Sequence, residues 1–183
     1  MKKVGEERIS RRYAVALFKS AGGKLDVYFD EARQLLEIWR KQPGFARLLL
    51  APHLLTEEKK AFLERFFKGK VEPVWLGFFE LLIDKGRIGF FPQIAENFIF
   101  LAEEARGIMR ARVQTAVALS SGETETLKTK LGKKTGKRIL LLPEVKPELL
   151  GGMVVILKDQ IIDGSVRQRL AELRERLLAV KVA

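Results

Sequence analysis

"PELLGGMVVILKDQIIDGSVRQRLAEL", residues 147–173, decides how this chain folds. Two adjacent glycines precede an apolar, β-branched run, which breaks at Lys158-Asp159-Gln160 and again at Asp163-Gly164-Ser165 before an amphipathic segment. The glycines bring the backbone into a strand from a turn where a side chain would clash. "GMVVILKD" and "QIIDGS" read as two strands joined by a tight turn, a β-hairpin. Asp163-Gly164 makes the tight exit, and Ser165 caps a final helix. In that helix Val166, Leu170, Leu173, Leu177 and Val180 recur at intervals of four, three, four and three, the stripe of an amphipathic helix. Nothing in the stretch is chemically reactive.

Upstream of it the pattern remains strand-like. "MRARVQTAVAL" alternates, with Ala111, Val113, Thr115, Val117 and Leu119 on one face and Arg110, Arg112 and Gln114 on the other. Residues 122–135 are polar, bounded by glycine and helical in pattern, and "RILLLPEV" is a further strand. A small α/β domain closed by an amphipathic helix results.

The first part of the chain uses a different alphabet. All 16 aromatic residues lie between Tyr13 and Phe100. A single shared core would not segregate its rings so sharply, so the chain divides into residues 1–107 and 108–183, with the boundary near Arg106-Gly107. Leu25, Tyr28, Phe29, Ala32, Leu35, Leu36 and Trp39 form a clear helical stripe. Helices are likewise predicted over residues 9–20, stopped by Gly22-Gly23, over "FARLLL", from a Thr56 cap followed by Glu57 and Glu58, from Pro73, and from about Pro92 to Arg106. The fold class is α+β with two domains, an N-terminal six-helix bundle followed by the α/β domain.

With 183 residues, 47% hydrophobic and 31% charged, the chain is long enough to bury real cores. No cysteine is present, which removes disulfides, thiol catalysis and cysteine-ligated metals. "MKKVGEERIS" has no apolar region behind its lysines and no run approaches the ~20 residues of a membrane span, so a cytoplasmic, soluble chain is expected. The net charge of +11 points to an acidic partner. Residues 108–183 carry most of it, with 15 basic and 8 acidic side chains, against 19 and 15 in residues 1–107.

"LLGGMVVILKDQIIDGSVRQRLAEL" closely resembles the C-terminal signature of the delta subunit family of bacterial rotary ATP synthase, the counterpart of the mitochondrial oligomycin-sensitivity-conferring protein. "RRYAVALFKSA" is similar to that family's opening motif, "LLLAPHLLTEEKKAFL" to its Leu-x-x-Pro and charged helix, and "FFELLIDKGRIGFFPQIAENF" to its Leu-Leu-x-x-x-Arg segment. The four occur in the family's order and span the chain, residues 120–137 being matched by position only. The resemblance implies the two-domain fold above and a non-catalytic stator subunit of the proton-translocating ATP synthase. Such a subunit links the catalytic head to the peripheral stalk on the cytoplasmic face of the plasma membrane, without entering the membrane, so that the head resists rotor torque.

Two sites follow from the resemblance. The fifth helix is apolar on nearly every side, so it is either central or open to a partner. In the family the first and fifth helices receive the N-terminal helix of an alpha subunit. Tyr13, Ala14, Leu17, Trp75, Phe78, Phe79 and Leu82 would line that groove, although for any one of them core burial weighs equally. The C-terminal domain and its last helix correspond to the part that meets b-type stalk subunits. Arg167, Arg169, Arg174 and Arg176 would pair with stalk acids, and Leu170, Leu173 and Leu177 would pack across the interface. That stripe spans only two heptads, and taken alone it reads as facing its own sheet.

No cofactor, metal or catalytic residue is expected. "GKKTGK", residues 132–137, has three residues rather than four between its glycines, Arg138 where a phosphate loop has Ser or Thr, and a strand where a helix should follow. His53 is the only histidine. The alternative is a basic nucleic-acid-binding protein presenting Arg110 and Arg112, but single-strand binders set aromatics on a basic sheet and this half has none.

Overall fold

A computed structural model describes residues 2–158 and 160–180, with side chains for residues 5–158 and 160–178. The chain is α+β, with a mostly helical N-terminal part and a four-stranded sheet. It forms two compact units, Met1–Glu103 and Glu104–Ala183.

Unit 1 contains α1 (Lys2–Ala21), α2 (Leu25–Lys41), α3 (Pro43–Leu50), α4 (Thr56–Phe67), α5 (Pro73–Asp84) and nearly all of α6 (Phe91–Ala105). Each presents one apolar face inward, and the rings meet in a connected set. Phe79 stacks on Phe67 and tilts against Phe91, while Trp75 meets Phe78 and Phe98 edge-on. Edge-to-face and offset contacts are the arrangements aromatic quadrupoles favour. The cap of α4 differs from the sequence expectation. Thr56 is the first helical residue and Leu55 the cap; leucine offers no side-chain acceptor to the first helical N–H groups, and Glu58 accepts the Leu55 backbone N–H at 2.8 Å.

Unit 2 contains β1 (Ile108–Thr115), α7 (Ser121–Thr135), β2 (Arg138–Val145), β3 (Met153–Leu157), β4 (Gln160–Asp163) and α8 (Val166–Val180). The strand order is β2-β1-β3-β4, with β1 parallel to β2 and the other pairs antiparallel. Helix α7 begins in a capping box between Ser120 and Glu123 and covers one sheet face, where Leu131 joins Ala111, Val113, Ile139, Leu141, Val155 and Leu157. β1 is shorter than its alternation predicts. It ends at Thr115, whose hydroxyl donates to the Val117 carbonyl at 2.6 Å, and Val117 is 74% exposed. In the β3–β4 turn Asp159 lies outside the described residues.

The glycines of the opening stretch have a steric cause. Gly152 sits at φ +71°, and a Cβ there would lie 2.3 Å from the Gly164 carbonyl oxygen. Two backbone bonds cross the same junction, Val166 N–H to Gly151 O at 3.0 Å and Gly164 N–H to Met153 O at 2.9 Å. The chain before β3 and the chain before α8 are thus locked together at backbone distance.

Candidate docking surfaces

Helix α5 is held in place before any partner is considered. Pro73 opens it, and the Glu72 backbone N–H donates to Glu31 Oε1 of α2 at 2.8 Å, which places a carboxylate at the helix's positive end. Lys24 pairs with Glu72 at 2.9 Å, and that hydrogen bond raises the lysine's pKa. Past its end, Arg87 donates to the Tyr13 hydroxyl of α1 at 3.0 Å and lies 5.8 Å from the Tyr13 ring centroid. Tyr13 in turn packs edge-on against Phe78, so α1 flanks α5 on the Phe78 side.

Of the seven residues assigned to the groove, Ala14, Leu17, Trp75, Phe78, Phe79 and Leu82 are buried in the unit's own core, and Tyr13 is half-buried at its edge. The side of α5 that stays open carries Gly77 and Leu81, the latter 42% exposed, with Val74 and Leu76 half-buried beside them. Val74, Gly77 and Leu81 follow helical spacing and form one stripe. On α1, Ile9 and Tyr13 are half-buried and Ala16 is exposed, at helical spacing along one face. The sequence does signal Gly77. Glycine in a helix interior costs ~1 kcal/mol relative to alanine, and a Cβ at position 77 would meet nothing within 4 Å. No internal packing requires it.

The second surface is α8. Ser165 is fully buried and its Oγ accepts the Gln168 N–H at 3.1 Å, while Asp163 accepts the Ser165 N–H at 2.8 Å. The backbone N–H of Ser165, with its hydroxyl, holds the Asp163 carboxyl below the usual aspartate range. Beyond this base, residues 166–178 are all exposed. Leu170, Leu173 and Leu177 are 52%, 52% and 63% exposed, so the stripe does not face its own sheet, contrary to the reading from its short length. Arg167, Arg169, Arg174 and Arg176 are exposed beside it, and the side chain of Val180 lies outside those described.

Two further motifs have plain structural places. "GKKTGK" forms the last turn of α7, where Gly136 takes a left-handed conformation as the C-cap, so carbonyl oxygens rather than N–H groups face the loop. His53 is exposed in a turn. Among the described residues no group of three His, Cys, Asp or Glu is placed to hold a metal, and no helix is long and apolar enough to cross a membrane. The sheet face that bears Arg110 and Arg112 also bears Leu140, Leu142 and Ile161, all exposed, and no ring.

Comparison with known proteins is consistent along the chain. The profile of the ATP synthase delta (OSCP) subunit matches residues 9–177. ATP synthase subunit delta of Desulfitobacterium hafniense (strain Y51) is 35% identical over 170 residues, covering 92% of this chain and 96% of that protein. The subunit delta of Clostridium kluyveri is 34% identical over 174 residues, covering 94% and 96%. Among solved structures, a chain of the Toxoplasma gondii mitochondrial ATP synthase hexamer shares the fold, with a TM-score of 0.71 at 18% identity over 92% of this chain and 97% of that one. This chain belongs to the ATP synthase delta (OSCP) subunit family.

Proposed function

We propose that this chain is the stator link of a proton-translocating ATP synthase, tying the catalytic head to the peripheral stalk so that the head does not turn with the rotor. Family membership over residues 9–177 carries the reading, because that family is one of structural subunits of ATP synthase. In this reading the N-terminal bundle of six helices takes the N-terminal helix of an alpha subunit, and the C-terminal domain with its final helix meets b-type stalk subunits. The chain works at the cytoplasmic face of the plasma membrane as a peripheral component and performs no chemistry. Tethering needs affinity and stiffness, and a packed ring core in unit 1 and a locked glycine junction in unit 2 each support the stiffness.

The six buried residues first assigned to the groove act as its foundation. Trp75, Phe79 and Leu82 fix α5, and the guest helix meets the half-buried and exposed stripes of Val74, Gly77 and Leu81 on α5 and Ile9, Tyr13 and Ala16 on α1. Co-sedimentation of the full chain with the detached catalytic head tests this. Leu81→Asp is expected to weaken binding roughly tenfold or more, since a charge in a desolvated contact is costly. Thermal stability should be retained, because position 81 is already solvent-facing. Head binding unchanged by Leu81→Asp would remove this surface, and no binding by the wild-type chain would remove the stator reading.

A further inference from the structure

The turn after α5 does more than end the helix. Gly86 sits in the left-handed conformation at φ +63°, where its N–H donates to the Ile83 carbonyl at 2.9 Å and the Arg87 N–H donates back to the Leu82 carbonyl at 2.7 Å. This pair of bonds closes a helix at a left-handed glycine. The Arg87 carbonyl in turn accepts the Phe90 N–H at 2.9 Å. Arg87 is thus fixed on both sides of its Cα to a helix whose Leu82 is fully buried, so its side chain starts from a rigid base. From there the guanidinium reaches across to α1 and donates to the Tyr13 hydroxyl at 3.0 Å.

Tyr13 brings the one polar side-chain group to the two docking stripes, whose other members are Ile9, Ala16, Val74, Gly77 and Leu81. Apolar stripes alone let a guest helix slide by a turn, whereas a single placed polar group fixes register and orientation. The ring of Tyr13 is half-buried, with Phe78 supporting it edge-on at a centroid distance of 6.1 Å and Arg87 holding the hydroxyl end. Without the second support, a half-buried ring has more than one staggered rotamer open to it.

We propose that Arg87 is a positioning residue for head docking, holding Tyr13 in the orientation that presents its hydroxyl to the guest helix and so setting the guest's register. This rests on the stator reading, and it does not require Arg87 to touch the guest. The phenol accepts from the guanidinium and keeps its own proton to donate, and the cationic donor strengthens that donation. The group it fits on the guest is therefore an acceptor, a carboxylate or side-chain amide oxygen. Fixing the tyrosine before the partner arrives lowers the ordering cost of binding. A mere tether between α1 and α5 has a different consequence, since its removal would lower stability and affinity together.

Two measurements on the full chain test the role: affinity for the detached catalytic head, and fluorine NMR of the chain labelled with fluorotyrosine at its two tyrosines, Tyr13 and Tyr28. Arg87→Met keeps an apolar stem and leaves the backbone closure of α5 intact. It is expected to weaken head binding roughly fivefold and to shift the Tyr13 resonance, with the Tyr28 resonance and the thermal midpoint unchanged. Tyr13→Phe should weaken binding by a similar factor. The double variant should bind no more weakly than Tyr13→Phe alone, because Arg87 acts through the hydroxyl. Unchanged head affinity in Arg87→Met, a double variant whose loss is the product of the two single losses, or a loss of affinity matched by a lowered thermal midpoint would each overturn the inference. If Arg87→Met binds like wild type while Leu81→Asp does not, the positioning role falls and the stator reading stands. A wild-type chain that does not bind the head removes that reading and the positioning role with it.

Discussion

An alanine at position 152 would place its Cβ 2.3 Å from the Gly164 carbonyl oxygen, on a backbone already at φ +71°. Backbone atoms on both sides of the contact leave nothing flexible to move aside. Gly152→Ala is expected to destabilise unit 2 by about 2–4 kcal/mol, read from the shift in its urea midpoint. Gly77 gives the opposite case. Its Cβ position is empty, so Gly77→Ala should stabilise unit 1 by about 1 kcal/mol, and any accompanying loss of head affinity would show that the glycine serves the partner. Asp163 adds a pH dependence. Its pKa is lowered chiefly by the backbone N–H of Ser165, so its contribution is complete above the ordinary aspartate value of about 4 and is lost as pH falls through the lower folded value. Asp163→Asn should flatten the decline in stability below about pH 4 relative to wild type, as followed by thermal melts across pH.

At the level of single elements, α5 shows why an all-round apolar helix is ambiguous in sequence. Trp75, Phe78, Phe79, Leu82 and Ile83 form its buried arc, and Leu76 and Leu81 belong to the rest of the helix surface although their side chains are equally apolar. Phe79→Ala is expected to cost about 3–5 kcal/mol in urea unfolding, because the ring is fully buried between Phe67 and Phe91 and leaves a cavity. Leu81→Asp should change stability by no more than about 0.5 kcal/mol. A charge at Phe79 would report on folding, while a charge at Leu81 reports on docking. Helix α8 shows the converse. Its stripe is unambiguous in sequence, but a period of 3.5 states only that one face is apolar and not which neighbour covers it.

For the whole molecule, the segregation of rings makes the two units separately visible. Both tryptophans and every other aromatic lie in Tyr13–Phe100, so intrinsic fluorescence reports unit 1 alone, while far-ultraviolet circular dichroism reports both. Each unit closes its own apolar core, so the two signals are expected to give non-coincident urea transitions, with Gly152→Ala moving only the circular-dichroism component. Coincident curves in the wild type would show that the units unfold as one. The sequence by itself determined the order of helices and strands, through periods of 3.6 and 2. It also determined the glycine junction, through a close approach of backbones that leaves no room for a side chain, and the family, through four motifs in register. Only the tertiary structure decided which arc of α5 is core, where β1 stops at the Thr115 hydroxyl bond, and that the leucines of α8 face solvent. Periodicity is a property of one segment, whereas burial depends on neighbours brought from distant parts of the chain, and local pattern carries no record of them.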